Sequence, residues 1–420
     1  MGTPSFRGRE EGTVVQTTRR SFGGAVAVSL ALACASTGGG PAATVASSPP
    51  PDLPPDLVLA AQPASGASSG AAPAARPAPQ GDPFRDALAE AYQSFKDLGE
   101  GKNADYIPSL ASVDPKLYGL VIVTVQGAIY EIGSARSEFS IQSVSKPFTI
   151  ARGIEVAGAD AVQKRIGVNA TGQPFNSILA VDLAKKLPSD KDHVHPAGNP
   201  LVNAGAISSV DFLPVSTGMD KWSVIVGNLE AFAGRRLAVD DEVYRSESET
   251  NTHNRAIVQL LKDYEVIQGD PMQALDLYTR QCSVSVSARD LAVMGATLAN
   301  GGRNPLTGVQ VVSPATAAHV LALVSTAGLY ETTGEWLYNV GVPAKSGVGG
   351  GIVAVVPGRF AVGTFSPPLD AAGNSVRGQR AVAAIMKRLG GNVFASRPAG
   401  KRPTSAEART PAVPAVAEKR

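Results

Sequence analysis

Cysteine is nearly missing from this chain: two thiols in 420 residues, at positions 34 and 282, leave no room for a disulfide-stapled scaffold or a thiolate metal cluster. Histidine is almost as scarce, with four copies. His193 and His195 stand close together, but they share a loop with Pro196, Gly198 and Pro200 and meet no third ligand at a recognisable spacing. They read as surface residues, and no metal is expected. Charge of one sign is lacking too. The formal net charge is +2 and the basic residues form no dense stripe, so there is no electrostatic case for nucleic acid. No apolar run near the N-terminus approaches the roughly 20 residues that a bilayer span requires.

What is present divides the chain into four parts. Arg19-Arg20-Ser21-Phe22 precedes a short apolar run over residues 25–34 and then small polar residues, which is the layout of an export signal over 1–37. The paired arginines resemble a twin-arginine signal. Leu32-Ala33-Cys34 followed by Ser36-Thr37-Gly38 resembles a lipoprotein cleavage site, with Cys34 as its lipid anchor, although Ala31 stands where a larger aliphatic residue is usual. Both cleavage types stay open, and a periplasmic or lipid-anchored product is expected. Residues 38–81 are Pro, Ala, Ser and Gly and cannot bury enough apolar surface to offset the entropy of ordering them. Residues 396–420 are similarly poor in large apolar groups. That leaves 82–395 as one folded domain, with Cys282 as a small core residue.

Within that domain, apolar residues at helical spacing over 82–98 predict a helix stopped by Gly99 and Gly101. Residues 118–125 and 128–132 are rich in β-branched and aromatic types and flank Gln126-Gly127, a hairpin signal. Residues 143–156 predict helix, followed by a long irregular section around Gly167, Gly172, Pro174 and Pro188. Helix is expected again from Asn203 and over 219–233, 252–264, 272–281 and 288–299. Lys345-Ser-Gly-Val348 leads into a second hairpin, 352–356 and 360–365, turned at Pro357-Gly358, and helix closes the domain over 381–389. Strands from both ends must then pair into one antiparallel sheet with a large helical insert on one side, an α+β fold.

Ser143 and Lys146 stand three apart where the extended segment becomes helical, in Phe139-Ser-Ile-Gln-Ser-Val-Ser-Lys-Pro-Phe148. A serine hydroxyl is a weak nucleophile, and a lysine activates it only if burial brings the amine's pKa from about 10.4 toward roughly 7–8. Alone the pattern also fits a solvated helix start. Lys345-Ser-Gly347 at a strand supplies the second half: S-x-x-K followed by K-[ST]-G is the signature of penicillin-recognising serine enzymes. Their usual third motif, S-x-N or Y-x-N in the insert, is missing.

In its place stand Gly198-Asn-Pro-Leu-Val-Asn-Ala-Gly-Ala-Ile207, Tyr244-Arg-Ser-Glu-Ser-Glu249 and Leu275-Asp-Leu-Tyr-Thr-Arg-Gln-Cys-Ser283. Together with Ala104-Asp-Tyr-Ile-Pro108, Gln142-Ser-Val-Ser-Lys146, Ala299-Asn-Gly-Gly302 and Pro343-Ala-Lys-Ser-Gly-Val348, these blocks closely resemble the serine-dependent glutaminase family. That family includes the short bacterial enzymes and the catalytic domain of the kidney and liver types. The resemblance runs from about Asp82 to about Gly390. It implies a β-lactamase-like fold, hydrolysis of L-glutamine to L-glutamate and ammonia, no metal or organic cofactor, and a homodimer or homotetramer.

Carried over block by block, the resemblance makes Ser143 the nucleophile and Lys146 its base, with Tyr278 and Tyr330 as the phenols that relay protons. Tyr106, Asn203, Glu247 and Asn254 become substrate contacts, the last three at the amino-acid end, and the backbone N–H groups of Ser143 and Val348 an oxyanion hole. A zwitterion does need a carboxylate and neutral donors. Each residue also has a plainer reading: Tyr278 and Tyr330 as ordinary half-buried tyrosines, Asn203 as a helix cap, Glu247 as a surface charge. Two departures stand out. His253 occupies a position where the family usually has an arginine, and an export signal is unexpected on a family that is cytoplasmic by default. A β-lactamase-like hydrolase or esterase of another substrate, or a tethered binding module without catalysis, are the competing readings.

Overall fold

The computed structural model describes residues 81–186, 195–215 and 219–396. The segment expected to be an export signal with a lipid anchor at Cys34, residues 38–80, His193 and the tail from 397 lie outside the described residues.

The domain is built on a five-stranded antiparallel sheet with strands β1 (Gly119–Thr124), β2 (Ile129–Gly133), β5 (Ala344–Ser346), β6 (Gly351–Val356) and β7 (Phe360–Phe365), in the order β2-β1-β7-β6-β5. The pairing that joins the two ends of the chain is β1 with β7, Ile122 opposite Val362. Both hairpins form where turn chemistry places them, with Gly127 and Gly358 at positive φ. A separate two-stranded ribbon joins β3 (Phe139–Ser140) to β4 (Ser285–Val286).

Alternation along the strands divides the core in two. Leu120, Ile122, Ile352, Ala354, Phe360 and Val362 face one way, against Leu88, Ala91, Ala381, Val382 and Ile385 of the terminal helices. Val121, Val123, Val353, Val355 and Ala361 face the other, against Leu291 and Ala292 and the helical insert behind them. Both faces are covered, which is why β1, β6 and β7 are buried at every position and largely apolar without alternation. The helix Ala288–Ala299 lies close on the sheet because position 295 is glycine: a Cβ there would stand 2.6 Å from Val353 Cγ2 and 2.8 Å from Ala361 Cβ.

The first helix runs Pro83–Phe95, capped by Asp82, which accepts from the Phe84 and Arg85 amides. The section expected to be irregular holds two further helices, Ala159–Arg165 and Ile178–Lys186; its glycines and prolines punctuate these helices rather than prevent them. The helices Asp241–Thr250 and Pro314–Ala327 also form where the periodicity gave no signal. The first has few apolar positions and is nucleated by the Asp240 cap. The second is so uniformly Ala, Val and Leu that no single face stands out, although Ser313-Pro314 is a start signal. The closing helix begins at Val376, five residues before the expected start, with the Ser375 hydroxyl capping it.

Candidate active site

The ribbon β3–β4 delivers the chain to a tight 3₁₀ turn, Gln142–Ser145, from which the helix Lys146–Ala157 starts. Ser143 sits in this turn and Lys146 opens the helix. Three residues per turn bring i and i+3 into line, so the 3₁₀ geometry serves the Ser-x-x-Lys spacing more closely than the α-helical turn expected from the sequence. Three buried side chains brace the turn from behind: Ser145 Oγ donates to the Gln142 carbonyl (2.7 Å), Gln281 Nε2 donates to Ser145 Oγ (2.9 Å), and Thr149 Oγ1 donates to Gln281 Oε1 (2.6 Å).

Gln142 enters the turn at φ +50, a conformation that costs a non-glycine residue on the order of 1 kcal/mol or more. Its side chain compensates by donating to Ser140 Oγ (3.3 Å) and Glu247 Oε2 (3.1 Å). Gln142 is a site residue that sequence reasoning missed: its partner lies 105 residues away on the unforeseen helix Asp241–Thr250.

Lys146 is 1% exposed. Its amine donates to the Leu201 carbonyl (3.2 Å) and to Asn203 Oδ1 (2.8 Å), rather than to the Ser143 hydroxyl, and lies 5.6 Å from the centre of the Tyr278 ring. Tyr278 donates its phenol to the same Asn203 oxygen (3.1 Å), and Asn203 Nδ2 donates to Asn254 Oδ1 (2.9 Å). The Asn203 side chain is therefore tied to its neighbours across the site and does not cap its helix. Burial pushes the Lys146 amine down to about 8, although Cys282 and Glu247 pull the other way. Burial likewise lifts the Glu247 carboxyl to about 7 against the Gln142 hydrogen bond and the Lys146 charge. Glu247 is 7% exposed, so it is not a surface charge.

Tyr330 also has a left-handed backbone, φ +57. Its phenol donates to the Ser346 carbonyl (3.2 Å) and lies beside the Ser143 hydroxyl. The Phe175 ring lies against it at 4.5 Å. Burial pushes the phenols of Tyr278 and Tyr330 up, so both stay protonated donors.

A cavity of about 100 Å³ gathers Ser143, Asn203, Glu247, Asn254, Tyr278 and Val348, with Tyr106 exposed at its edge. Lys146 and Tyr330 are not among its lining residues and reach it through Asn203 and Ser143. The structure thus brings together all the residues expected from the sequence. It adds Phe175 and Asn176, which no local pattern marks, from the loop before the helix Ile178–Lys186. His253 borders the cavity and holds that loop, its Nε2 lying 2.6 Å from the Asn176 carbonyl. His195 lies elsewhere, half-buried, at a larger cavity of about 340 Å³ whose lining has no lysine or carboxylate; size does not pick out the site. Val348 follows Gly347, where a Cβ would stand 2.9 Å from the Ile141 carbonyl oxygen, so glycine lets this loop close on the serine turn.

Comparison with known proteins gives a consistent picture. A family model described as Glutaminase matches residues 101–394. The chain is 50% identical over 307 residues to a glutaminase of Colwellia psychrerythraea, covering 73% of this chain and 96% of the relative. It is 48% identical over 303 residues to one of Mycobacterium ulcerans, covering 72% and 92%. Among solved structures, the probable glutaminase ybaS superposes with a TM-score of 0.71 at 44% identity, over 75% of this chain and 99% of that one. The Bacillus subtilis glutaminase YbgJ, in a covalent complex with 5-oxo-L-norleucine formed by reaction with 6-diazo-5-oxo-L-norleucine, gives 0.64 at 29% identity, over 74% and 98%.

Proposed function

The chain belongs to the glutaminase family and hydrolyses L-glutamine to L-glutamate and ammonia on a β-lactamase-like fold, and from that premise we propose how its own residues divide the work. A hydrolase of another substrate and a non-catalytic binding module give way to this reading.

Ser143 Oγ attacks the side-chain carbonyl carbon of glutamine as its proton passes to Lys146, neutral in a sizeable fraction of molecules because burial holds its amine at about 8. The negative charge that develops on the carbonyl oxygen is met by the backbone N–H groups of Ser143 and Val348. The Tyr330 phenol, beside the serine hydroxyl, relays a proton to the departing nitrogen, which leaves as ammonia. Water then hydrolyses the γ-glutamyl ester, releasing glutamate and restoring the serine. Glu247 receives the substrate ammonium, Asn203 and Asn254 its carboxylate, Tyr278 steadies Asn203 and the base, and Tyr106 closes the outer wall. The observation that carries this reading is a buried amine one turn from a serine that itself shares a cavity of about 100 Å³ with a buried carboxylate. The covalent complex of the Bacillus subtilis relative supports a covalent route.

The pH profile tests the division of roles. Below pH 7 Lys146 carries its proton and Glu247 is neutral, both the wrong forms; above 8 both are right. The kcat/KM for glutamine is expected to rise at least tenfold between pH 6 and pH 8, and a flat profile across that range would remove Lys146 as base. Gly347→Ala is the structural counterpart. Its new Cβ meets a backbone oxygen at 2.9 Å and displaces the Val348 N–H, so kcat should fall on the order of 10- to 100-fold with KM little changed; wild-type kcat would rule out a close approach at 347.

The family resemblance implies a homodimer or homotetramer, which light scattering would measure, and the leader-like N-terminus with Cys34 implies an exported or lipid-anchored product, which cell fractionation would check.

A further inference from the structure

Asn374 is fully buried in the loop between β7 and the closing helix, and the chemistry above leaves it idle. Its backbone is closed on Asp370: the Asn374 N–H donates to Asp370 Oδ1 (2.9 Å), and its carbonyl accepts the Asp370 N–H (2.8 Å). Its side chain reaches two other segments. Thr332 Oγ1 spends its proton on the Leu329 carbonyl (2.8 Å) and so accepts from Asn374 Nδ2 (3.2 Å), which leaves Asn374 Oδ1 to accept the Ser346 hydroxyl (2.5 Å). Burying an amide is costly unless it is hydrogen-bonded, and here each end is paired with a different segment of the chain.

Those two segments hold the two ends of one side chain. The 3₁₀ turn Tyr330–Thr332 carries the left-handed backbone of Tyr330, which persists only if its surroundings over-determine it. Ser346 offers the carbonyl that receives the Tyr330 phenol at 3.2 Å. The loop that carries Asn374 also passes beside the ring, since a Cβ on Gly373 would stand 3.7 Å from Tyr330 Cε2. The backbone bond from the Ser346 N–H to the Gly328 carbonyl is longer, at 3.3 Å, and meets the chain before the turn begins. We propose that Asn374 is a positioning residue: its amide clamps the turn that carries Tyr330 to the strand that receives its phenol, and so keeps that phenol beside the Ser143 hydroxyl.

The inference rests on the role given to Tyr330 above, and a double-mutant cycle separates the two. Asn374→Ala, Tyr330→Phe and the double variant are compared in steady-state glutamine hydrolysis, with thermal melts to establish folding. Asn374→Ala is expected to lower kcat on the order of 10- to 100-fold with KM within about threefold, and the double variant to be no more than about twofold slower than Tyr330→Phe. Should alanine prevent folding, Thr332→Val takes its place in the cycle: it keeps the shape of a half-buried side chain, removes only the hydroxyl that Asn374 holds, and is expected to lower kcat about 3- to 10-fold. A folded variant with near-wild-type kcat, whatever its melting temperature, would leave the amide as a brace of the fold and overturn the proposal, as would losses that multiply in the double variant. A Tyr330→Phe variant with unchanged kcat would remove the phenol's role, and this inference with it.

Discussion

Ser143→Ala should abolish ammonia release from glutamine, lowering kcat by about 10⁴- to 10⁶-fold, while the melting temperature stays within a few degrees of wild type. Ser143 is 5% exposed and its hydroxyl lies beside the Tyr330 phenol, which keeps the Ser346 carbonyl as an acceptor. Losing a single hydrogen bond of that kind costs about 1 kcal/mol, too little to unfold a domain of this size. The fold is therefore expected to survive the loss of the chemistry. A second readout is independent of turnover: 6-diazo-5-oxo-L-norleucine, which forms a covalent complex with the Bacillus subtilis relative, should add mass to residue 143 of the wild type and none to the variant. Substantial ammonia release by Ser143→Ala, or a label recovered on another residue, would sink the assignment. Lys146→Ala is expected to lose turnover nearly as completely, since the amide of Asn203 left behind cannot act as a base.

Glu247→Gln should separate binding from stability in opposite directions. The carboxyl is buried and held at about 7, raised from 4.5, with burial as the largest cause. For a raised pKa the stabilising contribution is complete below the unfolded value and is lost as pH climbs through the folded one. At pH 8 the ionised side chain therefore works against the fold, by an amount on the order of 1–3 kcal/mol. Glutamine at this position keeps an oxygen for Gln142 Nε2 and removes the charge. Its melting temperature is expected to exceed wild type by several degrees at pH 8 and to match it closely at pH 5. The same change takes away the counter-ion for the substrate ammonium, so KM should rise about 100-fold. A variant less stable than wild type at pH 8 would mean that the carboxylate is already compensated in the free enzyme. An unchanged KM would move the ammonium site elsewhere. The pattern is the familiar one in which a binding site is maintained at the expense of stability.

Much of the architecture was legible before any coordinates. The runs in β1, β6 and β7 are rich in β-branched and aromatic residues and read as strands, and the glycines at 127 and 358 mark their turns. The order of S-x-x-K, insert and K-S-G called for strands from both ends to share one sheet, and the β1–β7 pairing is the one that joins them. The helix Asp241–Thr250 was invisible because its length carries few apolar residues, and periodicity needs an apolar face to show. The helices Ala159–Arg165 and Ile178–Lys186 were hidden by the glycines and prolines between them. For the site, residue types and order marked Ser143 and Lys146 and the family resemblance marked Glu247, but neither marked Gln142, which draws its importance from a strained backbone and a distant partner, or Phe175, which packs against Tyr330.

By itself, the sequence determined the two hairpins, the single sheet shared by both ends of the chain and the family, because strand composition, turn chemistry and motif order are local and survive in one dimension. Only the tertiary structure decided that the Lys146 amine lies near 8 and the Glu247 carboxyl near 7, and that Lys345 and Phe175 press on Tyr330 from its two neighbouring elements. Those properties arise from the exclusion of water and from contacts between segments far apart in the chain, and no spacing along the sequence encodes either.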